Sequence, residues 1–310
     1  MKDTYFIPCD AHEGCVWVAS QHRLYFSTTK KLEETRVDLM YLDFSAFDLA
    51  RDGDWSARLD RQSVQGLEAQ TWIRDANMAN SLCLTNDGLA LLVAEQGSQE
   101  RAACISRIEF ADRQRTVVFD QYGGMPLNSP NKVIQSRVGH VIVSDPDYGF
   151  RQGFRPPPSL EPQLYVLPKN GDPVAYRGEL EMPHGLALSP DERTLFVTDT
   201  SDDGAHDAVD LDRRHRVYAL DFDPAKGTIL GNHRYAFSTD EGVPDGSQTT
   251  EDSLLVGGGD GVYVADLDGQ LRGKIKLDRT AVNLAVVYDH LFVTADEGVY
   301  LILNWKQRVG

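Results

Sequence analysis

Glu13, Asn80, Asn131, His184, Asp245 and Asn283 each open a short strand-like run at nearly the same phase of a repeating pattern. Ten to thirteen residues after each comes a second apolar run, centred on Phe26, Val93, Val143, Val197, Val256 and Val293. Brought to one axis, these residues would gather two carboxylates, three amides and an imidazole. Carboxylate and amide oxygens suit Ca²⁺ or Mg²⁺. The imidazole of His184 is better suited to Zn²⁺, Mn²⁺ or Fe²⁺. Polar residues also precede strands simply because turns need them. Six in phase, including Glu13 and Asp245 at opposite ends of the chain, argue for a shared site.

Convergence of this kind needs a fold that repeats around an axis. Apolar runs of four to eight residues recur between Gly, Asp, Asn and Pro, as in His140-Val-Ile-Val-Ser144 and Thr194-Leu-Phe-Val-Thr198. Third runs with a Leu-Tyr or Val-Tyr core follow at Gln163–Leu167, Arg216–Leu220, Gly261–Ala265 and Gly298–Ile302. Second-run centres lie from 37 residues apart (Val256 to Val293) to 67 apart (Phe26 to Val93). Repeats of this length, each with several strands, predict an all-β fold: a six-bladed β-propeller with a metal site at the central channel mouth. Residues 1–310 are expected to form a single propeller domain. Phe44 to Arg51 could make a helical turn or two. Tyr148 to Pro162, with Arg-Gln-Gly-Phe-Arg-Pro-Pro-Pro, is a stiff loop expected to wall the pocket. The Asp- and Arg-rich segment 201–215 reads as a solvated hairpin tip.

The chain has 310 residues, 31 basic against 47 acidic, for a net charge of −16. That charge repels nucleic acid and anionic membranes, so neither is an expected partner. Cys9, Cys15, Cys83 and Cys104 are too few for a disulfide framework and form no Cys-x-x-Cys pair. The N-terminal residues lack an apolar secretion signal, and no segment approaches the roughly 20 apolar residues of a membrane span. A cytoplasmic protein is the expectation; oligomeric state is not legible. No Gly-x-Ser-x-Gly nucleophile elbow is present. Gly257-Gly-Gly-Asp-Gly261 lacks the following helix that a phosphate cradle requires. His12, beside Glu13, should point to the opposite face of a strand and is read as a packing or supporting histidine.

Several motifs together resemble the senescence-marker-protein and gluconolactonase family, closest to its lactonohydrolase branch. They are Asn128-Ser-Pro-Asn131, Ser144-Asp-Pro-Asp-Tyr-Gly149, Met182-Pro-His-Gly-Leu-Ala-Leu-Ser-Pro-Asp-Glu192, Leu195-Phe-Val-Thr-Asp199 and Val243-Pro-Asp-Gly246. His12-Glu-Gly14, Asn77-Met-Ala-Asn80, Glu95-Gln-Gly97 and Tyr148–Pro156 extend the likeness over most of the chain. The resemblance implies a six-bladed propeller with one divalent metal, usually calcium, on its axis, and hydrolysis of sugar-acid or related lactones. By position it implies Glu13 as an acidic ligand, Asn131 as an asparagine near the metal, and Asp245 as ligand and general base. The chain departs from the pattern with His184 in place of a ligand Asn, Lys132 after Asn131, and Gln96 where relatives often carry His.

The expected function is therefore opening of a lactone by metal-activated water. Glu13, Asn131, His184 and Asp245 would hold the metal, calcium first, with Zn, Mn or Mg admitted by His184. Asp245, or His184 if it does not ligate, would move the proton. Asn80, Asn131, Lys132 and Gln96 would contact substrate, with Lys132 placed to hold a substrate carboxylate or else in an ion pair. No organic cofactor is required. Phosphotriester hydrolysis, isomerase-type chemistry, and a non-catalytic ligand-binding propeller are the alternatives.

Overall fold

A computed structural model describes residues 3–47, 49, 51, 53–201 and 215–310. Among the described residues, six four-stranded antiparallel sheets are arranged as propeller blades. Their innermost strands are Val16–Val18, Ala79–Leu84, Lys132–Gln135, Pro183–Leu188, Ser247–Thr249 and Asn283–Val287 in blades 1 to 6. The second strands carry the expected apolar centres: Arg23–Ser27, Ala90–Glu95, Val141–Asp145, Thr194–Asp199, Leu254–Gly258 and His290–Thr294. Tyr165, Tyr218, Tyr263 and Tyr300 of the third strands pair directly with Val143, Val197, Val256 and Val293. Each shared Val-Tyr or Leu-Tyr pattern thus marks one blade at one register.

The ring is closed by the chain's first strand. Thr4–Ala11 is the outer strand of blade 6, antiparallel to Asp296–Ile302. Pro8 is tolerated there because an outer strand has a free edge. A single blade cannot bury both its faces, and the stability comes from stacking. Six apolar clusters fill the spaces between neighbouring blades. Tyr25, Leu39, Leu82 and Val93 join blades 1 and 2. Leu24, Phe26, Ala285 and Phe292 join blades 6 and 1. Side chains of this size each contribute about 1.5–3 kcal/mol when fully buried.

Blade 1 carries an insertion between its third and outer strands. Ser45–Phe47 is a 3₁₀ turn, where the sequence allowed a helical turn from Phe44 to Arg51. Short helices at Trp55–Arg58 and Arg61–Gln65 follow, capped by the Asp54 and Asp60 carboxylates, and bury Trp55, Leu59 and Val64 against the core. The expected hairpin tip over 201–215 lies mostly outside the described residues. Gly257–Gly261 spans a hairpin of blade 5, with Gly259 and Asp260 as the turn between its strands.

Three buried acids recur where second strands end, and they fix the loops that deliver the site. The Asp145 carboxylate accepts the amides of Asn128 and Ser129 at 2.9 and 2.8 Å. Asp199 accepts those of Glu181, Met182 and Ser201 at 2.8–3.0 Å. Glu95 accepts the Asn77 amide group at 2.8 Å and the Arg115 guanidinium at 2.7 Å. Each clamp sits a few residues ahead of Asn131, His184 and Asn80 respectively.

Candidate active site

Glu13 lies in the irregular link between the closing strand and the inner strand of blade 1. Gly14 makes this link possible. Its φ is +71°, and a Cβ there would stand 2.7 Å from Leu82 Cγ. Asn80 and His184 are the second residues of their inner strands, where the ladders of blades 2 and 4 shift register. Such irregularities re-aim side chains that a regular pleat would alternate. Asn131 and Asp245 sit just ahead of the inner strands of blades 3 and 5. Hydroxyls of the second strands hold the backbone of this row. Ser27 Oγ donates to the Asn80 carbonyl at 2.8 Å, Ser144 Oγ to that of His184 at 2.6 Å, and Thr198 Oγ1 to that of Asp245 at 3.0 Å.

Five of the six phased residues meet. Glu13, Asn80, Asn131, His184 and Asp245 line one cavity of about 200 Å³. Ligand atoms of Glu13, His184 and Asp245 all lie within 4.8 Å of one another. His184 Nδ1 is 3.3 Å from Asp245 Oδ1, and His184 Nε2 is 3.9 Å from Glu13 Oε1. Both His184 Nδ1 and Asp245 Oδ1 are buried without a well-formed hydrogen bond among the described residues. Buried polar atoms are normally satisfied, so this facing pair marks a place for a ligand.

Asn283 is the exception. Leu82, Val133, Leu186 and Ser247 each pair with their blade's second-strand centre, two residues after the site residue. In blade 6 Leu284 pairs with Val293, so Val282 is in phase and Asn283 is one residue beyond. Asn283 shares instead the row of Lys132. Its amide donates to Glu13 Oε2, and its Oδ1 accepts from Lys132 Nζ at 3.3 Å. Asn283 is thus a buried bridge between a carboxylate and an ammonium.

Lys132 is buried and does not line the cavity with Glu13. It lines the channel on the other side of the ring, a space of about 640 Å³ walled by all six inner strands. In this structure Lys132 does not reach the Glu13 cavity: its Nζ donates to Asn283 Oδ1. Neither does it form a surface ion pair. Gln96 is fully buried, does not line the cavity, and has no hydrogen-bond partner for its side-chain amide among the described residues.

The remaining cavity wall is formed by His12, Lys30, Tyr148, Gln152, Thr200 and Val243. Tyr148 and Gln152 come from the Pro-rich loop, as expected of a pocket wall. Arg155 pins that loop by donating to the carbonyls of Asn128, Ser98 and Leu127, each at 2.9 Å. His12 does face the site. The alternation that would turn it away applies within strands, and residues 12–15 are not in one. Its Nδ1 lies 2.6 Å from Asp296 Oδ1. Lys30 and Thr200 stand in loops after second strands, and Tyr148 opens the short helix Tyr148–Arg151 that follows another. Their only sequence signal is a polar or aromatic side chain at varying distance past each second run.

The electrostatics divide the three central groups. Burial raises Asp245, and the neighbouring Glu13 charge raises it further, well above the usual carboxylate range. Burial opposes ionisation of Glu13 too, but His184, His12, Lys132 and the Asn283 amide together hold its carboxyl below that range. Burial pushes His184 down to about 4 against the pull of Glu13, with Lys30 and Lys132 helping. At neutral pH the imidazole is therefore uncharged, with a lone pair free for a cation. Two oxygen acids and a neutral imidazole around one point are a donor set that fits a divalent ion.

The fold and this cluster define an axial-site β-propeller. The model of the SMP-30/Gluconolactonase/LRE-like region matches residues 11–297, and the chain belongs to that family. A gluconolactonase of Zymomonas mobilis is 31% identical over 211 residues, covering 64% of this chain and 54% of that protein. Lactonohydrolase oryL of Aspergillus oryzae is 25% identical over 294 residues, covering 89% and 63%. The chain thus spans little more than half the length of these curated relatives. Among solved structures, a Xanthomonas campestris gluconolactonase superposes with a TM-score of 0.67 at 24% identity, covering 96% of each chain. A calcium-binding regucalcin of Agrobacterium tumefaciens gives 0.64 at 14%, covering 95% and 90%. These two share the fold.

Proposed function

We propose that the protein hydrolyses a lactone of a sugar acid or related hydroxy acid at the Glu13–His184–Asp245 cavity. The observation that carries this reading is the meeting of those three groups, from blades 1, 4 and 5, within 4.8 Å at the base of a closed ring. The family names of the curated relatives, gluconolactonase and lactonohydrolase, supply the substrate class. Glu13, His184 and Asp245, with Asn131 beside them, would hold one divalent cation. Calcium is the first candidate, and His184 admits zinc, manganese or magnesium. Such an ion supplies Lewis-acid polarisation of a carbonyl oxygen.

The chain's own residues do the rest. Asp245, in its ionised form and with Oδ1 unpartnered among the described residues, is placed to accept the proton of the attacking water. Asn283 and Lys132 keep Glu13 ionised and in place. Asn80 Nδ2 donates to the main-chain carbonyl of Asn131 at 3.1 Å, which fixes the Asn80 side chain at the cavity wall. Tyr148 packs edge-on to His184, with ring centres 5.6 Å apart, and fixes its plane.

The test is a panel of aldono- and hydroxy-acid lactones followed by acid release, with elemental analysis of the protein and a chelator arm. Lactone hydrolysis abolished by chelator and restored by one divalent ion is expected. Chelator-insensitive hydrolysis, or none by the metal-loaded protein, overturns the reading.

A further inference from the structure

Once the carboxylates of the cavity are assigned, one charge is left over. Lys30 reaches the cavity from the loop after the second strand of blade 1. Its backbone neighbours are clamped. Thr29 donates from its amide and its hydroxyl to Asp10 Oδ1 at 2.7 and 2.8 Å. Thr28 and Asp38 exchange hydrogen bonds at 3.0 Å across the loop. The stem of Lys30 therefore leaves a fixed base. Its ammonium has neither a hydrogen bond nor an ion pair among the described residues. Holding an ammonium in a half-enclosed site without a partner is costly.

The carboxylates near it are already committed. Glu13 is held by Asn283, Asp296 by His12, and Asp245 faces His184. Glu13 and Asp245 together match the charge of one divalent ion, and Asp296 is engaged by His12, so Lys30 faces the substrate space with no carboxylate hydrogen-bonded to it. The other walls offer it no anion: Asn80, Asn131, Tyr148, Gln152, Thr200 and Val243 are neutral.

We propose that Lys30 is a specificity-determining residue that binds an anionic group on the substrate, so that the preferred lactones carry a carboxylate besides the ring ester. This inference rests on the lactone reading of the site. Lys132, beneath the ring, is excluded from that role by its position. The selection works because a neutral lactone leaves Lys30 desolvated and unpaired, whereas an anionic one forms a charge-assisted hydrogen bond with it.

The experiment compares D-glucaro-1,4-lactone, which bears a free carboxylate, with the neutral D-glucono-1,5-lactone. It uses the metal-loaded wild type, Lys30→Met and Lys30→Arg. In Lys30→Met, kcat/KM for the acidic lactone is expected to fall about tenfold or more relative to that for the neutral lactone, through KM rather than kcat. Lys30→Arg should keep the preference. A second arm measures binding of the glucarate dianion against the gluconate monoanion by calorimetry. The wild type should favour the dianion about tenfold, and Lys30→Met should remove the preference. Equal effects on both lactones, or wild-type binding without charge discrimination, or no glucarate binding at all, would overturn the proposal. Dianion preference lost in Lys30→Met without any lactone hydrolysis would overturn the lactone reading and leave the anion site standing.

Discussion

Asp245 is held in an unfavourable state by its surroundings, and that makes its replacement informative in two directions. Buried beside the Glu13 charge, its carboxyl is raised well above the usual range. Asp245→Asn removes that repulsion while conserving shape. In the presence of chelator the variant should therefore melt at or above the wild-type temperature. Added divalent ion should stabilise it much less than wild type, and lactone hydrolysis should fall by about 10²–10⁴. Calorimetric melting with and without ion, beside initial rates, checks both. At this scale much was legible in the sequence, since Glu13, Asn80, Asn131, His184 and Asp245 all reach one cavity. Asn283 was misphased because Val282 and Asn283 both precede an apolar run, and only the pairing of Leu284 with Val293 sets the count. Lys30 and His12 were missed or dismissed because both sit in irregular backbone, where strand alternation does not say which way a side chain points.

The strands themselves were readable for a plain reason. Second strands are buried on both faces, so they appear as largely continuous apolar runs bounded by turn residues. The clamps at their ends were not readable, because an acid after an apolar run looks like the start of a solvated turn. Asp145 shows what the clamp costs. Burial pushes its carboxyl up to about 7, although the Asn128 and Ser129 amides and Arg155 pull the other way. A raised carboxyl favours the folded protein at low pH, where it is neutral in both states only below about 3.8. The folded form holds its proton through the window in which the unfolded chain has lost it. The contribution is thus present below the unfolded value and is lost as pH rises towards 7, by at most about 4 kcal/mol. Urea unfolding in chelator should show wild-type stability falling from pH 4.5 to 7.5 more steeply than that of Asp145→Asn. Equal slopes would mean that the two amides already stabilise the carboxylate enough to cancel its burial.

For the whole molecule the decisive element is the first strand, which belongs to the last blade. Ile7 is fully buried in the cluster joining blades 6 and 1. Ile7→Ala should destabilise the fold by about 2–5 kcal/mol, with a cavity term set by how far the seam relaxes. Hydrogen exchange should speed first in Thr4–Ala11 and Asp296–Ile302, and later or not at all in blades 2 to 4. Uniform acceleration around the ring would show that the seam is not the weakest joint. The seam and the site are also the same place. The closing strand runs directly into His12 and Glu13, whose partners Asp296 and Asn283 lie 284 and 270 residues further along the chain. During synthesis at about 5–20 residues per second, Glu13 therefore waits roughly 14–54 s for the amide that holds it. Until then a nascent chain has the acid but not the cage. The Glu13–His184–Asp245 cluster is thus either absent, its members scattered along a solvated chain, or complete, and it is acquired last and all at once.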